Sequence, residues 1–164
     1  MVLTKEELIG SLQNEVRILL HLAGKIDRGQ LDYRPSAKQR STLELLRYLT
    51  VMGPSLLAFI KAGKFDQEAW QAATAAANAL DFDQLLASLE KQSTTYPELV
   101  GAYSDDDFRG EIEMFGRKWS RGSCIVNLVL SGCAAYRTQL FLYLKSCGRE
   151  ELSTWNLWAG VDAA

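Results

Sequence analysis

Few residues in this chain have types and spacing suited to bond chemistry. There is one histidine, His21, among 164 residues. Ser41, Ser123 or Ser131 would need an imidazole to take up a hydroxyl proton before acting as a nucleophile. The helical period puts His21 about 180° from the apolar stripe of its own helix, beside Asn14, Arg17 and Lys25, facing solvent or a partner. Cys124, Cys133 and Cys147 form neither an even set nor a CxxC pair, and they fit reduced thiols in a cytosol. Cys133 and Cys124 fall about 80° and about 100° off the centre of their helix's inward stripe, where a small buried thiol is the usual role. Cys147 lies near a helix C-terminus, without the positive dipole end that would lower its pKa. Asp105, Asp106 and Asp107 are consecutive, so their side chains diverge and read as a solvated turn or helix cap. No glycine-rich phosphate loop follows a strand.

One segment is chemically unusual for its place. SGCAAYRTQLFLYLKSCG, Ser131 to Gly148, reads as most of a helix. At about 100° per residue, Ile125, Val129, Gly132, Tyr136, Gln139 and Tyr143 fall on one stripe. The ends of that stripe are ordinary core; the middle is a glycine, a tyrosine and a glutamine. A glycine there costs about 1 kcal/mol of helix propensity relative to alanine. A buried amide left unpaired costs about 1–3 kcal/mol. Such residues are kept either to admit a bulky neighbour, here Tyr48 or Met52, or to line a cavity. Arg137 falls off the stripe and reads as a surface salt-bridge partner before an anion clamp.

Four long helical patterns must position these residues. The first opens on a capping box, Thr4 to Glu7, and continues through Leu8, Leu12, Glu15, Leu19, Leu22 and Ile26. A second box, Ser41 to Glu44, starts a helix with Leu45, Leu49, Met52, Leu56 and Phe59 inward, kinked by Pro54. The alanine-rich KAGKFDQEAWQAATAAANAL reads as a connection holding a short helix or an ordered loop. A third box, Asp81 to Gln84, opens a helix that Pro97 should break or bend. Glu111 to Ser120 resembles a hairpin turning near Gly116, and the last helix runs from about Ser123 to Cys147 and stops at Gly148. In the tail, Trp155 and Trp158 are too large and apolar to be left loose. These patterns predict an all-α four-helix bundle over residues 1–164, one domain, with a hairpin-like segment and a packed C-terminal tail.

Bulk properties narrow the function. Hydrophobic residues are 48 % and charged residues 23 %, an ordinary globular balance. Eighteen Lys and Arg against 20 Asp and Glu give a net charge of −2, with no basic face for nucleic acid. No positively charged start precedes an apolar run, and no stretch approaches 18 apolar residues, so neither a signal peptide nor a membrane span is expected. The expected setting is cytoplasmic.

In order and spacing, LDYRPSAKQRSTLELLRYL, AAYRTQLFLYLKSCG and TWNLWAGVD together resemble the DinB/YfiT-like superfamily of metal-dependent bacterial proteins. The resemblance runs from about Thr4 to the tail. It implies an up-down-down-up four-helix bundle, frequently a homodimer; characterised members include transferases that use a thiol such as bacillithiol or mycothiol. Metal-bearing members carry one histidine on the second helix and an H-x-x-x-H pair on the last, commonly followed by R-x-Q. Those positions fall on Tyr48, Gly132 and Tyr136, with Arg137 and Gln139 matching the residues that follow. A first-row metal needs lone-pair donors converging at about 2 Å; glycine has none, and a phenol with pKa near 10 is a poor one. The resemblance thus implies a former metal pocket of Tyr48, Gly132, Tyr136 and Gln139, with Met52 and Arg137 as neighbours, and neither metal nor other cofactor. Three functions follow: a metal-free, non-catalytic small-molecule binder; a structural or interaction protein acting through a homodimer face; or a thiol-dependent transferase-like enzyme with an atypical site.

Overall fold

The computed structural model describes residues 3–163. Its helices are α1 (Lys5–Ala23), α2 (Thr42–Ala62), α3 (Gln67–Asn78), α4 (Phe82–Gly101), α5 (Asp105–Arg109) and α6 (Arg121–Ser146). A hairpin, β1 (Glu111–Met114) and β2 (Arg117–Ser120), precedes α6. Each predicted capping box is formed: Thr4 with Glu7, Ser41 with Glu44 and Asp81 with Gln84 exchange side-chain and backbone bonds. The hairpin turns on Phe115 and Gly116, both at positive φ (53° and 72°), as a two-residue turn between twisted strands requires. The alanine-rich connection is helical as α3, and the three aspartates open α5 behind a Ser104–Asp107 capping box.

Cross-helix contacts give the helix directions. Arg47 reaches Leu80, Gln92 reaches Leu49 and Tyr103 reaches Leu57, so α2 and α4 run parallel. Lys5 meets Tyr103 and Gln13 meets Ser93, so α1 opposes α4. Tyr48 meets Tyr136 and Met52 meets Gly132, so α6 opposes α2. Each of α1 and α2 packs on both α4 and α6, which leaves α1 and α2 on a diagonal. The bundle is therefore up-down-down-up, and α3 lies on α2 within the crossover that lets α2 and α4 run the same way. Buried apolar residues of α1, α2, α4 and α6 form one cluster, including Leu12, Leu46, Leu57, Leu89 and Leu140.

Of the two outcomes expected at Pro97, a break does not occur: α4 continues through it to Gly101. Proline removes the donor for the carbonyl four residues earlier, and a glutamine from elsewhere replaces it in both proline-bearing helices. Gln13 Nε2 donates to the Ser93 carbonyl at 2.9 Å, and Gln92 Nε2 donates to the Thr50 carbonyl at 3.3 Å. Both α2 and α6 are long and apolar enough on average to cross a bilayer, with mean hydropathy 1.4 and 1.2. Much of α2 is core, which accounts for its composition.

The tail is packed, but its tryptophans are not what packs it. Trp155 and Trp158 are 62 % and 68 % exposed, whereas Leu152 and Asn156 are buried. Gly160 sits at φ 61° against Ile18, where a Cβ would meet the Ile18 Cα at 3.1 Å. Asn156 Nδ2 lies 3.1 Å from His21 Nε2 and 3.0 Å from Asp162 Oδ1. His21 therefore faces this chain's own tail rather than open solvent. Its pKa is pushed below 6.5, chiefly by burial; Asp162 opposes the shift, and Lys25 and Arg17 add to it. The folded state thus resists protonation that the unfolded chain accepts. Stability is expected to be full above about pH 6.5 and to fall as pH drops through that value. Urea unfolding of the parent and His21→Gln at about pH 7.5 and about pH 5.5 checks this: the loss on the acid side should shrink in the variant.

Candidate functional site

The last helix does not keep one register. Ile125–Leu130 form a π turn, in which the Ser131 N–H bonds to the Val126 carbonyl and the Ser131 hydroxyl adds a second bond at 2.9 Å. A π turn inserts one extra residue, about 100° of rotation, and such turns gather at functional sites. Upstream, Ile125 and Val129 are fully buried. Downstream, the buried residues are Arg137, Leu140, Tyr143 and Leu144, with Cys133 against the core, so the stripe has moved on by one position through 133, 137, 140 and 144, while Tyr143 stays buried as expected. Gly132, Tyr136 and Gln139 become a half-buried flank toward α2.

This shift corrects the reading of Arg137. It is only 5 % exposed and is no surface residue. Its Nη2 donates to Glu15 Oε1 at 3.2 Å, its Nε bonds the other carboxylate oxygen, and its Nη1 bonds the Leu157 carbonyl. Glu15, set within the apolar stripe of α1, thereby gains a partner, and Arg137 turns to α1 and the tail. Cys133 lies beside the buried Tyr96 hydroxyl at 3.8 Å, and burial pushes its thiol up to about 11.

Four of the expected site residues do meet. The rings of Tyr48 and Tyr136 pack edge to face, 4.8 Å between centroids at 66°. One turn along, Gly132 faces Met52. Gln139 turns from them and donates to the Tyr143 hydroxyl at 2.5 Å, which itself donates to the Arg40 carbonyl at 2.8 Å. The Arg40 guanidinium then lies over Tyr48, 4.0 Å from its centroid. Burial raises the Tyr48 phenol well above its ordinary pKa; Tyr136 adds to the shift and Arg40 opposes it. A neutral phenol beside a glycine does not fit a first-row metal. Among the described residues, no three His, Cys, Asp or Glu side chains come together to hold one elsewhere.

The space before Gly132 is taken by the end of Met52: a Cβ would lie 3.2 Å from its Cε and 3.3 Å from its Sδ. A thioether end can shift by a few tenths of an ångström. Gly132→Ala is therefore expected to stabilise the protein, by up to about 1 kcal/mol of helix propensity. Chemical denaturation decides it; a clear loss would mean Met52 has no room to move.

The open space lies instead on the α3 side of Tyr48. A cavity of ≈ 270 Å³ is lined there by Arg40, Glu44, Arg47, Tyr48 and Trp70, among others. Trp70 is 6.1 Å from Tyr48 and 5.7 Å from Phe65, which rests on Phe59. Pattern reading of the sequence had no signal for this cavity, because Trp70 comes from the connection and the arginines from outside any apolar stripe.

No family model matches the chain, and no curated protein does. A crystal structure of a DinB-like protein, YjoA from Bacillus subtilis, matches it with a TM-score of 0.67 at 20 % identity, covering 89 % of this chain and 94 % of that one. That likeness, over nearly the whole of both chains, agrees with the helix directions and the diagonal placement of α1 and α2. The chain has the DinB-like four-helix fold.

Proposed function

We propose that this is a metal-free, non-catalytic DinB-like protein of the bacterial cytoplasm that binds a small molecule beside the position where metal-bearing relatives hold their ion. The observation that carries the reading is the cavity against Tyr48, whose ring alone separates it from Tyr136. Tyr48 forms its wall, and the Tyr136 ring packs behind that wall with 4.8 Å between centroids. A raised phenol pKa keeps Tyr48 a neutral, ring-presenting surface near neutral pH rather than an anionic ligand. The test has two parts. Protein purified without a histidine tag is analysed for transition metals, and a stoichiometric amount would overturn the metal-free reading. A thermal-shift screen with small aromatic molecules should raise Tm, and filling the cavity by Thr74→Phe, at a residue of α3 that also lines it, should abolish the rise.

A second reading rests on a separate observation. Trp155 and Trp158, with Val161 and Leu142, are large apolar side chains left exposed. Isolated exposed apolar residues are common, but paired tryptophans suit an interface. A homodimer formed through the tail would cover them. Sedimentation should then show a dimer that weakens on Trp155→Ala with Trp158→Ala; a monomer at all concentrations counts against it.

A further inference from the structure

We infer that the cavity between α2 and α3 is an anion site, and that its ligand is a small aromatic acid: one flat ring bearing a carboxylate or phosphate group. The location rests on the pocket reading above; the charge and shape of the ligand go beyond it. The argument starts from how little the cations there are satisfied. Glu44 is the one carboxylate lining the cavity, and it is committed elsewhere. Its Oε2 accepts the Ser41 N–H at 2.8 Å and lies 3.2 Å from Arg34 Nη2. Arg47 makes one side-chain bond, from Nη2 to the Leu80 carbonyl at 3.3 Å, while its Nε is buried without a partner among the described residues. The Arg40 guanidinium makes no ion pair or hydrogen bond among the described residues and rests on the Tyr48 and Tyr136 rings, 4.0 and 5.9 Å from their centroids.

A guanidinium carries five donors arranged to grip planar oxyanions in pairs. Two of them at one cleft, using one donor between them, form a cationic rim facing a single carboxylate that Arg34 already shares. Burying a charged donor without a partner is costly, and that cost falls on the Arg47 Nε, since Arg40 is exposed at the rim; an oxyanion at the mouth would satisfy the buried head and engage the free one through short, charge-assisted bonds. The remaining walls select the rest of the molecule. Trp70 and Tyr48 stand at 66° to one another and are braced behind by Phe65 and Tyr136. The two rings meet edge to face and form one aromatic wall of the cleft, apolar surface against which a flat ring can lie. At ≈ 270 Å³ the cavity is at the small end for ligand sites, so a single ring fits the volume better than a nucleotide.

Isothermal titration of the full chain with four probes tests this: benzoate, phenyl phosphate, benzyl alcohol and inorganic phosphate. One of the two aromatic acids should bind at least tenfold more tightly than benzyl alcohol and than inorganic phosphate. Arg40→Gln and Arg47→Gln should each weaken that acid about tenfold or more and leave benzyl alcohol unchanged. Arg40 is exposed, so its variant keeps the fold, and near-ultraviolet circular dichroism verifies both. Benzyl alcohol binding as well as the acids, with no effect of either arginine, overturns the anion assignment while the pocket stands. Inorganic phosphate binding as well as phenyl phosphate overturns the aromatic part. Binding of none of the four overturns the inference and the pocket reading together.

Discussion

Gly53→Ala is expected to destabilise the protein by about 3 kcal/mol, which in a chain of this size lowers Tm by roughly 6–12 °C. A Cβ at that position would lie 1.9 Å from the Tyr96 hydroxyl oxygen and 2.9 Å from its Cζ. Tyr96 cannot swing aside. It is fully buried, its hydroxyl donates to Gln92 Oε1 at 3.1 Å, and Cys133 lies at 3.8 Å. Gln92 is fixed in turn, because its amide nitrogen donates to the Leu49 and Thr50 carbonyls at 2.9 and 3.3 Å. The Thr50 carbonyl needs that donor because Pro54, one turn on, has no N–H. Gly53, Pro54, Gln92 and Tyr96 thus act as one unit joining α2 to α4. Adding Tyr96→Phe to Gly53→Ala removes the atom at 1.9 Å and should return part of the loss. Equal stability of Gly53→Ala and the parent in urea would show that Tyr96 does not lie over α2.

Arg137→Met should cost about 3–5 kcal/mol, because it strands the Glu15 carboxylate inside the bundle. Glu15→Leu should cost a similar amount by stranding the guanidinium. The double variant should recover most of either loss, since two apolar side chains in place of a buried ion pair are often neutral or better. A double-mutant cycle therefore gives a large coupling energy, and singles costing under about 1 kcal/mol would place the pair at the surface instead. Arg137 also bonds the Leu157 carbonyl and lies 5.5 Å from the Trp158 ring. Its removal should loosen the tail as well, seen as increased quenching of tryptophan fluorescence by acrylamide in Arg137→Met and much less in Glu15→Leu.

The elements that were legible in the sequence are those whose causes are local. A capping box spans three residues, so Thr4–Glu7, Ser41–Glu44 and Asp81–Gln84 declared three helix starts without reference to anything distant. The apolar period likewise marked α1, α2 and α4, and Gly148 at φ 93° ended the last helix region where expected. The meeting of Tyr48 with Tyr136 was also anticipated, through resemblance, and Met52 against Gly132 was one of the two neighbours that the glycine on the helix stripe suggested.

What the sequence left open was decided between helices. The proline at 97 reads as a helix breaker until Gln13, 80 residues from Ser93, supplies the missing donor. Constant counting at 100° per residue puts Arg137 outside, because one added residue in the π turn at 125–130 rotates everything after it. A buried arginine is tolerable only once Glu15 on another helix faces it. The cavity at Tyr48 likewise exists only where α3 is laid against α2, bringing Trp70 to Arg40 and Arg47. Local sequence determined where helices begin, how long they run and which broad face is apolar, since those energies act within one or two turns. Tertiary packing decided register, the satisfaction of stray polar groups and the place of the cavity, because each of these depends on a partner far away along the chain.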